Sequence, residues 1–525
     1  MGSSEPLRLG ENDPSMGDAG PRAGAATPTA EASSMRRWEK LSNWRKYANL
    51  AAIKLLFPSD SSFAHGRGIV GSAMCAAPQT LLEPQDRPFD PFERLMLADD
   101  RPGRPMRFFV EFRATGPLRE ERLRGAIAAA ARRHPLLTSR LVFRRGAPHW
   151  LASAAIPTVV WHPTPSGPSP WAPFDLRQES GLRCVVLPDG PDRHRVVMMF
   201  HHSTCDGVAA LEFAGDMWAI YGGAAPRPLT DPTTVRPRRR AGVAAPTTPP
   251  APAARSGLEE AWEFARFRPA ALALVRGPAP ARSEDESISP PYAWLEFDVR
   301  ETDTLRAAAA ACGGSLNDLV IAAVMRAAVA WNSAARDRPG DVRITVPVSL
   351  RSPGRREPAR NTMAYAFLDR TAAACAAPGP LTESIAAATK WILEHDAARG
   401  FLDTLDVLAR WPGMLWLATR WPGCFSTAVV SYVGDPSRRM RTGLPKHDGH
   451  DAAGDVVIER CVGVPPLRPW TRASIGATTY AGRLALCCLC SAHDDSRHGA
   501  RLFLERVRAT LFESTAAAAS HPSVG

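Results

Sequence analysis

Residues 195–207, RVVMMFHHSTCDG, constrain the fold more than any other stretch of the chain. Val196 to Phe200 are apolar at every position, and a strand with no polar face has to be covered on both sides. Shortly after it, Val208, Leu211, Ala214 and Trp218 recur at helical spacing between Gly207 and Tyr221. A buried strand running directly into an apolar helix calls for a sheet with helices layered on it. His201 and His202 close the strand, where consecutive side chains point to opposite faces, so the two imidazoles cannot share one role. Asp206 stands at the strand-to-helix turn, and Gly207 lets the backbone turn sharply or pass close to a neighbour.

The chemistry open to this cluster is limited. A neutral imidazole at the mouth of a buried strand suits proton removal from an alcohol or amine, because its ordinary pKa lies near neutrality. Nucleophilic catalysis needs a Ser or Cys with a positioned base. Ser203 and Cys205 are too local to the histidines to form a spaced triad. Metal binding is disfavoured as well, since adjacent strand histidines diverge and no third or fourth ligand lies nearby. The plain structural readings are a hydrogen-bonded core histidine and, for Asp206, a helix N-cap. Against them, HHxxxDG arises by chance in a chain of this length with a probability on the order of one in a thousand.

Composition sets the frame around this motif. The 525 residues are 45% apolar and 22% charged, which supplies a sizeable core and excludes wholesale disorder. The formal charge of +11 suits an anionic ligand, an acidic protein or a membrane surface without choosing among them. No nucleic-acid or metal-binding motif is visible. The ten cysteines are scattered through apolar text, and CxxC spacing occurs only at Cys487–Cys490, inside LALCCLC. On a strand those two thiols face opposite ways and cannot share a metal. The set reads as buried thiols in a reducing compartment. The first residues lack the apolar core of a secretory leader, and no run of about 18 uncharged apolar residues occurs. The expected location is cytoplasmic.

Five segments follow. Residues 1–34, rich in Gly, Pro, Ser and Ala, read as a disordered tail. In residues 35–57, Trp38, Leu41, Trp44, Ala48, Ala52 and Leu55 form a helical stripe, while Arg36, Arg37, Lys40, Arg45, Lys46 and Lys54 stand against Glu39 alone. Such a helix either docks on the protein's own core or lies on an anionic membrane as a peripheral contact. Residues 86–222 carry the HHxxxDG segment. Residues 223–285 hold a Pro- and Arg-rich linker and a helix, with the run Arg238–Arg240 either solvated or phosphate-binding, and residues 286–515 form a second mixed half. Within that half, Leu316–Trp331 is expected to be an apolar helix and Arg343–Leu350 a strand. Residues 401–423, with RWPG at both ends of MLWLAT, are expected to form a helical hairpin or lid.

HHSTCDG resembles the motif of the HHxxxDG acyltransferase superfamily, which includes condensation domains, polyketide-associated acyltransferases and wax ester synthase/diacylglycerol acyltransferases. Further stretches are similar to that superfamily: Gly116–Leu141 with its HPLL, Phe174–Arg183, Leu316–Ala322, Val346–Arg351, Asn361 and Tyr480–Leu484. The chain departs from the wax ester branch at Glu179–Leu182 and at Ser431–Pro436. The resemblance implies an α/β (α+β) chloramphenicol-acetyltransferase-like fold of two lobes with a tunnel between them. It implies acyl transfer from an acyl-CoA or acyl-carrier thioester to an alcohol, of the wax ester/diacylglycerol type, with no cofactor. The alternatives are condensation-type amide or ester formation with an acyl carrier protein as partner, and a non-catalytic binding protein on the same fold. His202 would be the general base and His201 mainly structural, beside Asp206 and Gly207. Asp206 would act through an arginine, with Arg140 and Arg351 as candidates. Asn317 and Asp318 either cap a helix or shape the tunnel, and Ser431 is a further candidate for substrate contact.

Overall fold

The computed structural model describes residues 86–153, 155–164, 167–230, 266–277, 288–352, 354–420 and 423–519. The expected tail, the basic helix at 35–57 and the run Arg238–Arg240 lie outside the described residues. The first half runs β1 (Arg87–Pro88), α1 (Pro91–Asp99), β2 (Arg107–Thr115), α2 (Glu120–Arg132), β3 (Arg140–Arg144), β4 (Ala147–Leu151), β5 (Thr158–Trp161), β6 (Leu182–Pro188), β7 (Arg193–His201) and α3 (Gly207–Tyr221). The second half opens with β8 (Ala293–Glu296), α4 (Val299–Ala311), α5 (Leu316–Ser333), β9 (Val342–Ser349), β10 (Met363–Arg370), α6 (Pro378–Glu394), α7 (Arg399–Ala409) and α8 (Met414–Arg420). It continues with β11 (Ala428–Gly434), α9 (Pro436–Met440), β12 (Lys446–His447), β13 (His450–Ala453), β14 (Val456–Val464), β15 (Ala473–Tyr480), β16 (Arg483–Cys490) and α10 (Ser496–Ala519).

Two large sheets organise these elements. The first has the order β12-β13-β14-β2-β7-β6-β5, the second β10-β9-β11-β15-β16-β8, and a small sheet is ordered β1-β4-β3. The apolar strand β7 lies between β2 and β6, antiparallel to both, with Phe200 opposite Phe108 and Leu182. Val196 to Phe200 are fully buried, as a strand covered on both faces requires. The first sheet is not confined to residues 86–222. Strand β14 pairs antiparallel with β2, from Val457 opposite Thr115 to Val464 opposite Phe109. Residues 446–464 of the second half therefore complete the first sheet.

The two sheets meet where β14 passes β15. Thr478 Oγ1 donates to the Cys461 carbonyl at 3.1 Å. Gly476 allows the approach, because a Cβ there would lie 1.9 Å from the Gly463 carbonyl oxygen. Helix α7 and helix α8 pack on α1 through Leu405, Leu415, Phe92, Leu95 and Met96. The hairpin thereby covers the Met106, Met363 and Tyr365 side of the sheet interface. Cys461, Cys487 and Cys488 are free and buried, with thiol pKa values pushed well up by burial. Among the described residues no cluster of His, Cys, Asp and Glu could hold a metal ion, and no single helix is long and apolar enough to cross a membrane.

Candidate active site

The site forms where the end of β7 enters α3. The His202 N–H donates to the Met106 carbonyl at 2.8 Å, so the chain stays pinned to β2 one residue beyond the strand. His202 Nδ1 lies 3.2 Å from the Cys205 carbonyl oxygen. A carbonyl can only accept, so Nδ1 carries the proton and Nε2 keeps its lone pair. Nε2 has no hydrogen bond among the described residues. The ring packs against Phe108 at 5.2 Å and Phe92 at 6.1 Å between centroids. It lines a cavity of about 170 Å³ between the sheets, with Asp206, Gly207, Phe108, Met363 and Tyr365 among its other walls. Burial lowers the His202 pKa from the ordinary 6.5, which favours the neutral ring.

His201 faces the other way and does not line this cavity. Its Nδ1 accepts from the Ser203 N–H at 3.2 Å and lies 2.7 Å from Ser203 Oγ. Its Nε2 stands 3.4 Å from Asp100 Oδ2. Burial raises the Asp100 pKa, but the facing His201 and Arg107 outweigh it and leave the carboxyl below its ordinary value. Gly181 supports the same loop. Its carbonyl accepts the His201 N–H at 2.9 Å, and a Cβ at this position would lie 2.4 Å from Thr204 Cγ2.

Asp206 joins the two halves of the chain. Its Oδ1 accepts the Ala209 N–H at 3.0 Å and caps α3. Its Oδ2 accepts Arg351 Nη1 and the Thr362 N–H, both at 2.8 Å. Of the two candidate arginines, Arg351 is the partner. Arg140 lies opposite Leu151 in the small sheet and does not line the cavity, so its expected place at the site is corrected. Asn361 Nδ2 donates to the carbonyls of His202 at 2.9 Å and Ser203 at 3.1 Å, which ties the histidine loop to the second half. Gly207 does not need its glycine for a left-handed turn. It begins α3, and a Cβ there would meet only Val433 Cγ1 at 3.8 Å.

Ser431 and Ser349 line the cavity, whereas Asn317 and Asp318 do not. Asp318 belongs to the capping box of α5, with Oδ2 accepting the Ser315 N–H at 2.8 Å and Oδ1 accepting Thr389 Oγ1 at 2.7 Å. Asp318 realises the capping alternative, and the expectation that this pair shapes the cavity is corrected, since neither residue lines it.

Sequence reasoning missed a second junction. Buried His134, from HPLL, accepts the Ala359 N–H on Nδ1 at 2.8 Å and presents Nε2 to Asp216 Oδ2 at 3.2 Å. Arg133 and Arg356 also bond Asp216. The available signal was Glu212 and Asp216 within an otherwise apolar helix, since buried acids need partners. Tyr365 and Arg468 at the cavity were missed too. Arg468 lies over the Tyr365 ring at 5.3 Å and bonds Asp99, and burial pushes the Tyr365 hydroxyl up to about 12.

No family model matches the chain, and no curated protein matches it. Solved structures do. Polyketide synthase associated protein 5 from Mycobacterium tuberculosis is 16% identical with a TM-score of 0.53, over 82% of this chain and 97% of that one. The first condensation domain of the CDA synthetase is 16% identical with a TM-score of 0.55, over 83% and 98%. Trichothecene 15-O-acetyltransferase from Fusarium sporotrichioides is 11% identical with a TM-score of 0.56, over 82% and 95%. The chain therefore has the chloramphenicol-acetyltransferase-like α/β fold that these condensation domains and acetyltransferases share.

Proposed function

We propose that the protein is an acyltransferase moving an acyl group from a thioester to a hydroxyl, with His202 as general base. The observation that carries this reading is the Nδ1 contact with the Cys205 carbonyl, which leaves the neutral ring of a cavity-lining residue with Nε2 unprotonated. In the proposed reaction Nε2 takes the acceptor's hydroxyl proton while the oxygen attacks the thioester carbonyl. The tetrahedral intermediate then collapses, the C–S bond breaks and the thiolate leaves, taking the proton back from the imidazolium. No acyl-enzyme is needed, because holding both reactants in one cavity supplies much of the rate. Asp206, Arg351 and Asn361 position the loop that carries the base.

Phe108, Leu211, Met363, Val429 and Val464 give the lining an apolar side that fits an acyl chain, and the proposed acceptor is a long-chain alcohol or diacylglycerol. The donor would be an acyl-CoA or a carrier-bound thioester. The second reading, amide or ester formation on carrier-bound substrates, draws on the likeness to condensation domains. To test the function, the full-length protein is incubated with acyl-CoA of several chain lengths and with long-chain alcohol, diacylglycerol or amine. Products are read by mass spectrometry. Ester formation with an alcohol is expected. Amide formation alone would favour the condensation reading, and an unchanged thioester pool in every arm would reject both.

A further inference from the structure

Three arginines line the cavity: Arg351, Arg439 and Arg468. Two are neutralised, because Arg351 holds Asp206 at 2.8 Å and Arg468 holds Asp99 at 2.6 Å. Arg439 is different. Among the described residues no carboxylate stands within ion-pair distance of it, and its Nε is committed to the Val433 carbonyl at 3.0 Å. That bond fixes the guanidinium beside Val433, whose Cγ1 is the nearest atom to the position a Cβ on Gly207 would take. Arg439 is thus held close to the start of α3. Burial and the adjacent Arg441 and Arg351 lower the Arg439 pKa against an opposing pull from Glu212, which Arg441 faces at 3.6 Å.

Arg439 is a half-buried cation on the cavity wall with no carboxylate partner among the described residues, and a guanidinium fits a carboxylate or phosphate with two parallel hydrogen bonds. We propose that Arg439 is an anion subsite within this cavity, taking an oxyanion carried by one of the two substrates. The anion is either a carboxylate on the acyl or acceptor chain or the phosphate of a pantetheine donor. The subsite would add selectivity by charge to a cavity whose remaining walls select by apolar fit.

The inference rests on the cavity being the substrate site, and its test reads binding without turnover, so a failed reaction with an intact anion preference would count against the reaction alone. Binding of hexadecanoate is compared with hexadecan-1-ol, and of coenzyme A with pantetheine, to the wild type, Arg439→Met and Arg439→Lys. The wild type is expected to prefer the anionic member of one pair. Arg439→Met should weaken that anionic probe about 10-fold, the scale of one charge-assisted hydrogen bond, and leave its neutral counterpart unchanged. Arg439→Lys keeps the charge and should keep the preference. Selective loss for hexadecanoate assigns a carboxylate, and selective loss for coenzyme A assigns the phosphate. No anionic preference in the wild type, or equal loss of both members of each pair, overturns the proposal.

Discussion

Removing a histidine ring from water penalises its charged form, and the Cys205 carbonyl then decides which nitrogen holds the remaining proton. Burial dominates at His202, and the nearby Asp206 charge only partly opposes it. The neutral ring is the active form of a base, so kcat/KM should rise with pH along an acid limb whose midpoint lies below 6.5, the ordinary histidine value. A pH–rate profile checks this, and a midpoint at or above 6.5 would count against it. At Asp206, replacement by Asn keeps a good capping side chain but breaks the buried pair with Arg351. The variant should lose stability on the order of 3 kcal/mol, read from denaturant unfolding. A loss within a few tenths would show that the pair contributes little. The divergence of the two histidines was legible from strand alternation alone. The choice of Arg351 over Arg140 was not, because a pairing 145 residues apart leaves no mark on local spacing.

Loops and helix ends are set by close contacts that sequence indicates only in part. Replacing Gly181 by Ala puts a methyl 2.4 Å from Thr204 Cγ2 and 3.4 Å from His201 Cβ. The loop must shift, so Gly181→Ala should cost about 1–3 kcal/mol of stability and lower turnover, whereas wild-type values for both would refute the contact. Helix α5 gives the converse case. Ser315→Ala removes the N-cap and should cost about 1 kcal/mol in thermal unfolding with kcat unchanged, because the capping box lies away from the cavity. Helical periodicity made α3 and α5 readable, and the apolar runs made β7 and β16 readable. Strand β14 escaped because Glu459 and Arg460 interrupt its apolar pattern, and its partner β2 lies more than 300 residues earlier.

The whole molecule is held across its halves by polar junctions as well as by the sheet crossing. His134 is fully buried, and burial lowers its pKa from 6.5 despite the Asp216 contact. The unfolded chain therefore binds a proton more readily than the native one, so this stabilising contribution is complete above 6.5 and is lost as pH falls through the native pKa. Glu93 and Glu212, both pushed up to about 7 by burial, pull the other way, so the informative quantity is a difference between variants. His134→Gln should show a smaller drop in Tm than wild type as pH falls below 6.5, and an unchanged drop would remove His134 from this role. The mixed α/β class followed from alternating strand and helix patterns. Completion of the first sheet by residues 446–464 could not be read, since local patterns state what an element is and not which sheet it joins. The proposed function rests on one ring nitrogen of a residue that lines the cavity between the sheets. The most direct measurement is acyl transfer by His202→Ala beside wild type, at matched folding judged by circular dichroism. A fall in kcat of about 10²–10⁴-fold is the predicted result, and turnover near that of the wild type would contradict the account.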